Sequence, residues 1–169
     1  MIFSFESKIP NIDPAAFISP TASIIGDVEI GERTNVWFGA VIRGDFFPIR
    51  IGKYNSIQDN VVIHADTIIG SYCRIAHGSV VHGCILEDNI LVGSNATIFD
   101  GCKIGEGAII GIGAVVPPNT YVPSRTVMLG VPAKPVRKVS DEEVKDMIRR
   151  AMRYAELAGR YLASGFNNI

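Results

Sequence analysis

Histidine, cysteine and tryptophan are scarce in this chain: three, three and one in 169 residues. Neither sign of charge dominates, with 16 Lys and Arg against 17 Asp and Glu. No basic run interleaves with aromatics, so no nucleic-acid partner is expected. Glycine and polar residues interrupt every apolar run well before the ~18 residues a membrane-spanning helix requires, so no membrane span is expected. The opening stretch MIFSFESKIP lacks both a basic and an apolar region, so no secretory leader is expected. An odd cysteine count without a CxxC pair does not make a disulfide framework and fits a reducing compartment, so a cytoplasmic location is expected. The length suits one domain with a core of its own.

What the chain does have is a repeat. Aliphatic residues recur every six positions: Ile12, Ile18, Ile24, Ile30, Val36 and Ile42, then Ile51, Ile57, Ile63, Ile69, Ile75 and Val81, then Val92, Ile98, Ile104, Ile110 and Val116. Four positions after most of them stands a small or β-branched residue, such as Ala22, Ala40, Val61, Thr67, Ser79 or Ala108, and Cys73 and Cys102 occupy this slot. Glycine often follows the aliphatic residue directly, as at Gly31, Gly52, Gly70, Gly93, Gly105 and Gly111.

A period of six suits neither a helix nor a simple alternating strand. It suits a mainly β fold, a parallel β-helix of hexapeptide repeats in which three hexads make one triangular coil. Known hexapeptide proteins imply a left-handed coil. The nine-residue step from Ile42 to Ile51 predicts a three-residue bulge within FFPIR. Five prolines between residues 117 and 135 predict a connector that leaves the prism and forms no ladder. Ser140 and Glu143 then form a capping box. Val144, Ile148, Ala151, Ala155, Ala158 and Leu162 follow at helical spacing, with Gly165 just past the end. The expected organisation is therefore 1–139 for the β-helix with its Pro-rich connector, and 140–165 for a C-terminal α-helix packed along it.

All three histidines lie in VIHADTIIGSYCRIAHGSVVHGC, residues 62–84. His64 and His82 are one coil of 18 residues apart and each follows an inward aliphatic, so both project from the same wall about 4.8 Å apart. Allowing for the bulge, Arg43 joins their column. His77 lies on the preceding wall above Asp59, with Gln58 beside it. Three prisms around a threefold axis would bring the two columns face to face, completing a three-histidine site and moving Arg43 toward Asp59. Three imidazoles without a thiolate suit Zn²⁺ with an open position, with Fe²⁺ or Co²⁺ as alternatives.

VIRGD (41–45), SIQDNVVIH (56–64) and IAHGSVVHGC (75–84), with GVPAKPVRKV (130–139), resemble the gamma-class carbonic anhydrase family of hexapeptide-repeat proteins. The resemblance implies a homotrimer with metal sites between subunits, His64 and His82 being ligands from one copy and His77 from the next. It implies that Gln58 hydrogen-bonds the metal-bound water, that Arg43 and Asp59 pair across the interface, and that Asp45 supports it. The implied reaction is hydration of CO2 to bicarbonate by metal-bound hydroxide. Two departures stand out. Phe46 replaces a glutamate associated with proton export, and HADTIIG lacks the acidic loop that follows the first histidine in the founding member. Slow turnover is therefore expected. Tyr154 either lines the site in their place or packs in the core. The competing readings are a hexapeptide-repeat acyltransferase, using a histidine as general base without a metal, and a non-catalytic metal-binding protein.

Overall fold

The computed structural model describes residues 1–166. It is a parallel β-solenoid of about seven turns with one C-terminal helix, consistent with the left-handed β-helix expected from the repeat. Short strands stack in register on three walls. The first wall carries Phe17–Ile18, Asn35–Val36, Ser56–Ile57, Arg74–Ile75, Leu91–Val92 and Ile109–Ile110. The second carries Val62–His64, Val80–His82, Thr97–Ile98 and Val115–Val116, and the third Thr67–Ile69, Ile85–Leu86, Lys103–Ile104 and Tyr121–Val122. Ser23–Ile30 and Val41–Ile51 run around the corner and join the second and third walls.

The hexad pattern becomes the core, with Ile12 of the first coil only partly buried against it. Ile24, Ile42, Ile63, Val81, Ile98 and Val116 are fully buried in one inward ladder, and the small-slot residues Ala22, Ala40, Val61, Ser79 and Ala96 are buried beside them. Each such aliphatic side chain contributes about 1.5–3 kcal/mol by leaving water. Leu86 fills the gap in the aliphatic series because that hexad is one residue short. Cys73, Cys84 and Cys102 are free and buried, and burial pushes the Cys73 and Cys84 thiols up to about 12, which makes those two packing groups rather than nucleophiles. The glycine after an inward aliphatic marks close coil-to-coil approach: a Cβ on Gly31 would sit 2.8 Å from the Gly52 carbonyl carbon.

The bulge is where the spacing placed it. Gly26 pairs Gly44 and Val28 pairs Ile49, so residues between them loop out and leave Phe46 and Phe47 exposed. The proline-rich segment, in contrast, does not leave the prism. Tyr121–Val122 and Thr126–Leu129 add parallel strands to it, with Val122 and Met128 buried in the core, and Lys134–Lys138 turns back antiparallel at the edge. Pro117, Pro118 and Pro123 fall between strands, and Pro135 lies on the terminal edge strand, where a missing N–H costs little.

The helix spans Asp141–Ala163 and opens with the expected box: Ser140 Oγ accepts from the Glu143 N–H, and Glu143 Oε2 accepts from the Ser140 N–H. Its first turns pack Val144 and Met147 on Val127, Leu91 and Ile109 of late coils, and its last turns pack Ala158 and Tyr161 with Phe17 and Trp37 of early ones. It therefore runs back along the first wall. No described helix is long and apolar enough to cross a membrane.

Candidate metal centre

On the second wall the position after the inward aliphatic is filled by side chains of size, not by glycine: Ile25, Arg43, His64 and His82 stand in consecutive register. His64 Nδ1 faces His82 Nε2 at 3.2 Å, with ring centroids 5.1 Å apart and planes at 64°. Stacking alone thus brings together two imidazoles separated by a whole coil. Phe99 follows in the next coil and packs at 5.7 Å on the His82 ring.

His77 lies past the end of the first wall, its side chain 55% exposed, away from the other two histidines. Its Nδ1 is 2.8 Å from Asp59 Oδ2 of the coil before. Gln58, next to Asp59, is buried. Arg43 forms an ion pair with Asp45, and the chain by itself does not bring Arg43 to Asp59. Tyr154 sits on the helix with its ring edge-on to Trp37 at 6.0 Å, and makes no hydrogen bond or ring contact with the histidines of its own chain.

Each histidine has one carboxylate from its own chain. Asp45 Oδ1 is 3.0 Å from His64 Nε2, Asp59 is on His77 Nδ1, and Asp100 Oδ1 is 2.5 Å from His82 Nδ1. A carboxylate is acceptor-only, so it selects the tautomer with the proton on the nitrogen it touches. The lone pair then falls on the other nitrogen: Nδ1 of His64, Nε2 of His82 and Nε2 of His77. Burial would raise the Asp45 carboxyl, but hydrogen bonds from His64 and the Phe46 N–H, together with the Arg43 guanidinium, hold it at about 2.

Asp100 is the residue that reading the sequence missed. It lies 18 residues beyond His82, the same one-coil step that relates Asp59 to His77, so the arithmetic that found one would have found the other.

A model of the bacterial transferase hexapeptide (six repeats) matches residues 48–83. Gamma carbonic anhydrase 1 of Arabidopsis thaliana mitochondria is 39% identical over 166 residues, which cover 92% of this chain and 60% of that protein. The chain thus spans about three fifths of that relative's length. A Methanocaldococcus jannaschii protein named "Probable carbonic anhydrase" is 50% identical over 145 residues, covering 83% of this chain and 91% of that one. This chain belongs to the gamma-class carbonic anhydrase family. Among solved structures, a hexapeptide transferase family protein from Anaplasma phagocytophilum superposes with a TM-score of 0.92 at 35% identity, covering 95% of this chain and 97% of that one.

Gamma carbonic anhydrases imply a metal cofactor. The donors of this family member fit one. Two nitrogens bound at 2.0–2.1 Å in a tetrahedral array lie about 3.4 Å apart, and His64 Nδ1 and His82 Nε2 are separated by 3.2 Å. With the carboxylates selecting the tautomers, both facing nitrogens are left as acceptors, an arrangement that favours a cation held by the two. Among the described residues of one chain, no group of three or more His, Cys, Asp or Glu is arranged to hold a metal. The pair supplies two donors and leaves places for others.

Proposed function

We propose that the chain forms a homotrimer, holds Zn²⁺ between subunits through His64 and His82 of one copy and His77 of the next, and hydrates carbon dioxide to bicarbonate. The observation that carries this reading is the pair of facing imidazole nitrogens, His64 Nδ1 and His82 Nε2, each backed by a carboxylate on its far side. Membership of the gamma carbonic anhydrase family supports the same chemistry. Zinc bound there supplies Lewis acidity, the means by which water becomes a nucleophile at neutral pH.

The chain's own residues do the rest. Asp45, Asp100 and Asp59 hold the three imidazoles in orientation, each meeting one ring nitrogen and leaving the other to bind. The buried Gln58 amide hydrogen-bonds the attacking water and orients it toward carbon dioxide. Arg43 and Asp59, both partly exposed in one chain, pair across the subunit contact, with Asp45 bracing Arg43. Tyr154 belongs to the packing of helix on wall.

Each turnover leaves a proton that has to reach solvent. Asp45 is ionised, tied to Arg43 and held at about 2, so it does not relay protons near neutrality. The next residue, 75% exposed on the bulge, is Phe46, which carries none. Proton export is therefore the slow step.

The test is carbon dioxide hydration by metal-loaded protein beside His77→Ala, with metal content and particle mass measured on both. The reading expects a trimer whose activity disappears with His77. Equal rates would overturn it, and purified protein without metal would favour acyl transfer.

A further inference from the structure

The C-terminal helix and the first wall border a half-open cleft of about 530 Å³ whose lining includes the half-buried Arg74 and the exposed Arg150, Arg153, Arg160 and Glu156, with Tyr154. Four guanidiniums and one carboxylate meet there, in a chain whose overall charge is −1. Arg150 is partly neutralised by Asp146 at 2.5 Å. The side chains of Arg74, Arg153 and Arg160 have no hydrogen bond or ion pair among the described residues. Arg74 is half-buried beneath the helix, where burial first, then the nearby Arg150, weaken its hold on its proton, and Tyr154 and Asp146 offset this only in part.

A partly desolvated guanidinium without an acceptor is costly, and like charges sharing a cleft add to that cost. An anion in the cleft cancels both. The planar fork of arginine matches phosphate oxygens two at a time, and the volume lies in the ~300–1,000 Å³ range of small-molecule sites. The cleft opens beside the helix on the first wall, whereas the His64–His82 pair stands on the second.

We propose that this cleft is a binding site for a small phosphate-bearing anion, with Arg74 as its innermost contact. It is independent of the hydration reading.

The experiment is calorimetric titration of the full chain at low salt with inorganic pyrophosphate, adenosine diphosphate and citrate. Pyrophosphate is expected to bind with an affinity that falls as salt rises. Arg74→Gln weakens it by about tenfold or more, as loss of a charged hydrogen-bonding partner does. Glu156→Gln, an exposed change that leaves packing alone, tightens it. Tighter binding of the diphosphate nucleotide identifies a nucleotide ligand, and equal binding identifies the inorganic anion; both support the site. His82→Ala binds pyrophosphate as the parent does, separating the cleft from capture at a bound metal. The proposal is overturned by absence of binding, by citrate binding as tightly as pyrophosphate, by an affinity unchanged in Arg74→Gln, or by loss of binding in His82→Ala. It is equally overturned if Arg153→Gln alters oligomeric state while leaving pyrophosphate affinity intact, which would make the arginines subunit contacts.

Discussion

Asp100 Oδ1 lies 2.5 Å from His82 Nδ1, one full coil above it, and so leaves His82 Nε2 facing His64. Removing a carboxylate that orients a metal-ligating histidine costs about 10–100-fold in metal affinity. Asp100→Ala is expected to lose zinc affinity on that scale in a chelator competition. Its melting temperature should hardly move, because the Asp100 side chain is 58% exposed. Parental affinity in the variant would remove Asp100 from the site.

Gly83 offers a second route to the same contact. It has φ +58°, and a Cβ built on it collides with Asp100 Oδ1. Gly83→Ala should displace the carboxylate and strain the corner together. Zinc affinity is expected to fall alongside stability, whereas Gly113→Ala, also at positive φ but with open space around it, should cost stability alone. Equal zinc affinity in the two variants would contradict the steric link.

If proton export limits turnover, the hydration rate should climb with the concentration of a small imidazole buffer and plateau late. Phe46→Glu restores an ionisable group on the exposed bulge and should raise the low-buffer rate by about tenfold, less than the roughly 100-fold minimum typical of a positioned general acid or base, because an exposed side chain is not held in place. A rate indifferent to buffer in the parent protein would place the slow step elsewhere.

Ile63 is fully buried directly before His64. Ile63→Ala opens a cavity in the prism and should cost about 2–5 kcal/mol. Denaturant unfolding measures it. A cost below about 1 kcal/mol would mean that neighbouring coils collapse into the space.

The helix start should respond to acid. The Arg137 guanidinium, then the Ser140 N–H, hold the Glu143 carboxyl at about 2, below its ordinary 4.5. A carboxyl lowered by folding stabilises the fold above its unfolded value and stops doing so as pH falls through the folded one. Between about pH 4.5 and 2 the parent should lose the stabilisation that Glu143→Gln lacks throughout, so their melting curves should converge. A constant gap down to pH 2 would show that the pairing does not matter to folding.

The coil, the small-slot cysteines, the bulge and the capping box were legible because each depends on local spacing. One side chain in six must fill the same prism, so the period is written in the chain. The column of Arg43, His64 and His82 was legible for the same reason, since stacking converts 18 residues into one strand spacing. The prolines misled because their effect depends on place. Between strands and on an edge they are harmless, and only the position of the last coil shows that they lie there.

Sequence by itself determined which residues face inward, which share a column and where the helix starts, because periodic burial and capping are set by neighbours along the chain. Tertiary structure alone decided which nitrogen of each imidazole meets a carboxylate, and that four arginines converge beside the helix. Those relations depend on rotamers and on the seating of one element against another, and neither leaves a period to read.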